Sequence, residues 1–248
     1  MTDQPFAYCI DRVLDEHLQP AAAAVFAREH SIESPFELAL VTKKVWKPGR
    51  TLRVKFLEGP PDVQKRIEDY AMQWTKYGNV KLEFVKTGAA DIRISFKQRG
   101  YWSAVGTDAL VAEYFPLSEP TMNFEGFTMS TPESEYSRVV LHEFGHALGC
   151  IHEHQSPSGG IQWNKEAVYR SLGGPPNNWD KPKVDHNVLS RYSQDQTQFT
   201  TFDPRSIMLY SFPREWTLNS MEFTSNDVLS DTDKRYIATI YPGEQPCV

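Results

Sequence analysis

The 248-residue chain is 40% hydrophobic and 12% aromatic, enough apolar material for a substantial core in one large domain or two small ones. A formal net charge of −6 argues against a general nucleic-acid binder, and no run of 18 apolar residues is available to span a membrane. Three widely spaced cysteines, Cys9, Cys150 and Cys247, do not read as a disulfide framework, and residues 1–5 carry no basic stretch leading into an apolar one. The expectation is a cytoplasmic protein or one exported by a non-classical route.

Residues 3–30 read as helical, with Ile10, Val13, Leu14 and Leu18 at helical spacing and Pro20 placed to begin a second helix. This stretch, to about residue 45, is set apart as a helical extension or latency segment. Residues 46–248 read as the main domain. Leu52, Val54 and Phe56 alternate as a strand. Val63, Ile67, Tyr70, Ala71 and Trp74 mark an amphipathic helix over 62–77, closed by Gly78-Asn79. Val80, Leu82 and Phe84, then Ile92, Ile94 and Phe96, give two more strands. Residues 101–106 read as an edge strand and 121–124 as another. A helix beginning near Ser134 or Ser137 runs through His142. Past Gly149 the chain is broken by glycine and proline, with short helices near 164–172 and 182–192. Ser230 is placed to cap a last helix, with Asp233 three residues on. The order of elements predicts an α+β fold, a twisted mixed sheet backed by helices and followed by a loop-rich C-terminal lobe.

The chemistry concentrates in residues 142–152, HEFGHALGCIH. Residues four apart lie on one face of a helix, so His142 and His146 can reach one metal ion while Glu143 borders it. Gly149 can take positive φ and end the helix sharply, turning His152 back as a third nitrogen. Three protein ligands leave a fourth position for water, the arrangement of a catalytic zinc site. Glu143 is placed as general base and later as proton donor.

The pattern H-E-x-x-H-x-x-G-x-x-H is that of the metzincin metalloproteases. Glu153 after the third histidine, the Ser206-Ile207-Met208-Leu209-Tyr210 stretch and the Trp102–Gly106 stretch extend the resemblance to the astacin family, over roughly residues 45–243. The resemblance implies a zincin-like, two-lobed domain with one catalytic Zn2+ on His142, His146 and His152. It implies Met208 as the floor beneath them, Tyr210 as an oxyanion-stabilising phenol, and Glu153 as the partner of a freed N-terminus. The function expected is zinc-dependent endopeptidase action, by a monomer, on a protein or peptide bound as an extended strand along residues 101–106. Four departures concern activation and specificity: Ser156 where the family has arginine, Leu209 where its Met-turn has histidine, too few cysteines for its two disulfides, and a leading segment of about 45 residues where a mature astacin has its start.

The alternative is a zincin-fold binding or effector protein, or a toxin, with one dedicated partner and little general proteolysis; the retained Glu143 speaks against it. His154 reads as a neighbour of the metal site and not a ligand, and His17, His30 and His186 as ordinary. Arg214 is placed to line the pocket beyond the scissile bond, or to sit in solvent. Asp231 and Asp233 fit a helix cap and first turn better than a calcium loop. A Cys9 thiolate could fill the fourth zinc position and hold the enzyme latent; the reading preferred from sequence is a small buried hydrophobe on a helix.

Overall fold

A computed structural model describes residues 9–10, 12, 14–32, 44–175, 177–191 and 201–243. Cys247 lies outside them. Five strands form one sheet: β1 (Thr51–Phe56), β2 (Lys81–Phe84), β3 (Ile92–Ser95), β4 (Tyr101–Ser103) and β5 (Met122–Phe124). Their order is β2-β1-β3-β5-β4. The first four in that order run parallel and β4 returns antiparallel along β5, as the outer strand. Leu52, Val54 and Ile94 are wholly buried because their alternation turns one side of the sheet inward. The expected mixed sheet with an edge at residue 101 is therefore present, with the edge strand ending at Ser103 and a 3₁₀ turn following at Gly106–Leu110.

Among the described residues six α-helices accompany the sheet: α1 (Gln19–His30), α2 (Pro61–Ala71), α3 (Glu133–Ala147), α4 (Lys165–Gly173), α5 (Lys181–Val184) and α6 (Asp231–Ile240). Pro61 opens α2, where the missing N–H costs nothing. The helix stops at Ala71 and Trp74 falls in a separate 3₁₀ turn, shorter than the sequence pattern suggested. Residues 139–147 of α3 are buried throughout, so this helix runs through the interior. Two tryptophans fix it: Trp74 Nε1 donates to Leu141 O at 2.9 Å and Trp46 Nε1 to Ala147 O at 2.7 Å. The Tyr241 hydroxyl donates to Leu148 O just past its end.

The helix expected across residues 3–30 is only partly formed. The described residues before Glu16 include no helix. Cys9 and Arg12 instead pair in parallel with Tyr101 and Ala104, and Ile10 N donates to Tyr101 O at 3.0 Å. The apolar spacing of Ile10, Leu14 and Leu18 suits a helix, but the open edge of β4 offers the backbone equivalent hydrogen bonds and wins. Pro20 does sit at the start of α1 as expected.

The chain re-enters the core at residues 44–46, threaded past two glycines. Gly106 has φ +51, and a Cβ there would fall 1.6 Å from Lys44 O; Gly149 has φ +91 and lies against Val45. Gly106→Ala is expected to cost about 3 kcal/mol or more, combining a backbone clash with a left-handed conformation. Denaturant unfolding of the folded variant checks it.

Candidate metal centre

The site helix ends as its sequence requires. Leu148 is its last half-helical residue. Gly149 N donates to His146 O at 2.8 Å and Cys150 N to Gly145 O at 2.9 Å, a Schellman turn made possible by the positive φ of Gly149. The turn does two things. It brings His152 back toward His142 and His146, and it presents Cys150 O to His146 Nδ1 at 2.9 Å. From the other side, Ile207 O meets His142 Nδ1 at 2.8 Å. Met208 closes the floor: a Cβ on Gly145 would lie 2.4 Å from its Sδ, so only glycine lets the helix approach this closely.

With Nδ1–H of His142 and of His146 donated to carbonyls, their Nε2 lone pairs point at one another and at His152 Nε2. The three nitrogens are 3.0–3.1 Å apart. Lone pairs at that separation repel unless a cation stands between them, and nitrogens bound tetrahedrally at about 2.1 Å lie about 3.4 Å apart. The donor set therefore fits zinc. Burial first, then the two neighbouring imidazoles, hold His142 well below the ordinary histidine pKa, which keeps it neutral as a ligand must be.

A fourth group joins them. Cys9, His142, His146 and His152 each offer a ligand atom, all within 4.8 Å of one another, and Cys9 Sγ lies 3.4 Å from Glu143 Oε2. This corrects the preferred sequence reading of Cys9. It is buried, but in the cleft on an extended segment, not on a helix. The Tyr210 ring stands 4.3 Å from that of His152, and its hydroxyl donates to Cys9 O. Neither Cys9 nor Cys150 is joined in a disulfide among the described residues, so Cys9 brings a thiol to the site.

The remaining expectations divide. His154 is buried, stacks on His152 at 5.1 Å and places Nε2 3.0 Å from Asn187 O, so it packs behind the third histidine. Glu153 is fully buried: Oε1 accepts from Asp203 N at 2.9 Å, and Oε2 has no hydrogen-bond partner among the described residues. Burial pushes its carboxyl up to about 7. Arg214 is mostly exposed beside Glu222 and does not line the pocket next to Glu143. Arg138 does, held bidentate by Glu135 at 2.9 and 2.6 Å. Sequence reasoning missed Arg138, although a residue four before His142 shares its helix face.

Known proteins resemble this chain in sequence and fold. A matrixin family model matches residues 51–161. The structure described as "Structure of myroilysin" is 44% identical, with 82% of this chain and 97% of that one covered and a TM-score of 0.78. A second myroilysin crystal structure is 38% identical, covering 97% of this chain and 93% of that one, with a TM-score of 0.67. High choriolytic enzyme 1, a hatching enzyme zinc-protease from the medaka fish Oryzias latipes, is 16% identical; 79% of this chain and 94% of that one are covered at a TM-score of 0.55, a likeness of fold.

Proposed function

The chain belongs to the metzincin zinc metalloproteases, and from that membership we propose that this zinc-dependent endopeptidase is of the astacin-like kind and is held latent by residues 1–45. The observation that carries the reading is the convergence of three imidazole nitrogens beside Glu143, with Cys9 as a fourth donor. His142, His146 and His152 are the proposed ligands. When bound there, zinc supplies Lewis acidity to the reaction. Glu143 takes the proton of the attacking water and returns it to the leaving amine nitrogen. Tyr210, once released from Cys9 O, donates its phenolic hydrogen to the developing oxyanion. The substrate replaces Cys9, Ile10 and Arg12 along β4 as an extended strand, through main-chain hydrogen bonds of the kind Ile10 makes. Glu153 is the carboxylate proposed to meet a newly formed N-terminus, which fits its unpartnered oxygen.

The test is cleavage of casein by the chain after release of its N-terminal segment, with and without a chelator. Chelator-sensitive cleavage restored by zinc is expected; cleavage indifferent to the chelator overturns the zinc reading. Within an active enzyme, Tyr210→Phe is expected to lower kcat about a hundredfold with KM little changed. An unchanged kcat removes the astacin-like role of Tyr210 and leaves the metal site standing.

A further inference from the structure

One metal-facing histidine is wired to the far end of the chain. Asp233, in the first turn of α6, forms the expected capping box with Ser230: it accepts from Ser230 N at 2.9 Å while Ser230 Oγ accepts from Asp233 N at 3.0 Å. Its carboxylate does more than cap. Oδ2 also accepts from Ile207 N at 2.9 Å, and Oδ1 from Ser206 Oγ at 2.7 Å. Ser206 Oγ accepts in turn from Met208 N at 3.1 Å. The Ile207–Met208 peptide that donates this N–H is the one whose carbonyl meets His142 Nδ1 at 2.8 Å. The result is a continuous chain: carboxylate, hydroxyl, amide, imidazole. Asp233, Ser206, Met208 and His142 are all buried, so water does not compete for these bonds.

We infer that Asp233 and Ser206 are positioning residues for His142, acting through the Ile207–Met208 peptide. Each bond in such a chain polarises the next. A hydroxyl that gives its hydrogen to a carboxylate is a better acceptor. An amide whose N–H is so engaged has a more basic carbonyl, and that carbonyl draws harder on Nδ1–H and enriches Nε2. The chain also fixes the ring plane and the tautomer. His146 lacks this arrangement: its Nδ1 meets Cys150 O in the turn that ends its own helix. One ligand is thus set locally and the other by two residues far along the sequence.

The inference rests on the zinc reading and deepens it. The experiment is zinc affinity of the full chain by chelator competition, together with the absorption spectrum of the cobalt-substituted protein. Ser206→Ala leaves Asp233 as a cap and removes only the hydroxyl, so it is the cleaner variant. Asp233→Asn places an N–H where Ser206 needs an acceptor. Each is expected to weaken zinc binding about tenfold to a hundredfold and to shift the cobalt bands. The double variant is expected to be no weaker than the worse single one, because both break one chain. Ser206→Thr, which keeps the hydroxyl, is expected to retain the parent affinity. A folded Ser206→Ala chain with parent affinity and spectrum overturns the inference. Failure of the parent chain to bind zinc overturns the zinc reading itself.

Discussion

Glu143→Gln is expected to lower peptide hydrolysis by about 10²–10⁴-fold while zinc content stays at the parent level. The substituted amide keeps the size and hydrogen-bonding reach of the glutamate, but it cannot take a proton from water or pass one to the leaving nitrogen. The three histidines hold their metal-facing geometry through Ile207 O, the turn after Gly149 and the Met208 floor, none of which involves Glu143. A fall in kcat with zinc retained therefore separates proton transfer from metal binding. The comparison belongs in a Cys9→Ala background, since Cys9 Sγ otherwise sits 3.4 Å from the glutamate oxygen. Equal, chelator-insensitive rates for the glutamate and glutamine forms would sink the proteolytic mechanism.

The second large effect has the opposite sign. Cys9→Ala in the full-length chain is expected to raise activity about a hundredfold over the parent. The thiol is one of four converging donors, and a site with four protein ligands has no position left for water. Losing the fourth ligand opens that position. It also removes an interaction whose loss, at about 3 kcal/mol, corresponds to roughly a hundredfold shift toward the open cleft. The segment does not fall away entirely: Ile10 still pairs with Tyr101, the Arg12 guanidinium still lies 4.4 Å above the Trp102 ring, and α1 still packs on the 3₁₀ turn after β4. The activity gain is therefore expected to be smaller than that from removing the segment altogether. Parent-level activity and zinc content in Cys9→Ala would end the latency reading.

Local rules made much of the molecule legible before any coordinates. The spacing of His142 and His146 is a property of one helix turn. Gly149 announces its own positive φ, and Ser230 with Asp233 announces a capping box, because each involves groups within a few residues. Strands β1 to β3 show in alternation for the same reason. What stayed hidden depends on long-range meetings. Cys9 reaches Glu143 across 134 positions, and no periodicity records that. Ile10 fits a helical pattern yet serves a sheet edge, since either outcome satisfies its backbone and only tertiary context decides. The second task of Asp233 was equally invisible: capping accounts for its place in the sequence, while its contact with Ser206 is created by packing α6 against the methionine turn. Of the two places open to Arg214 from the sequence, the pocket and the solvent, its side chain takes the solvent, beside Glu222.

The crowding at Cys9 has a consequence for how this enzyme switches. One residue presents its thiol to the metal site and to Glu143, its carbonyl to the Tyr210 hydroxyl and its backbone to the edge strand proposed to receive the substrate. In the parent chain the obstructions on metal, base, phenol and docking strand thus meet at one residue, so withdrawing residue 9 from the cleft clears all four together. Only truncation of the side chain, as in Cys9→Ala, separates them, since the bond from Tyr210 goes to the backbone carbonyl of residue 9. If the segment holds the enzyme latent as proposed, activation of the parent chain is expected to be a count of molecules converted, each passing from silent to competent as the segment leaves.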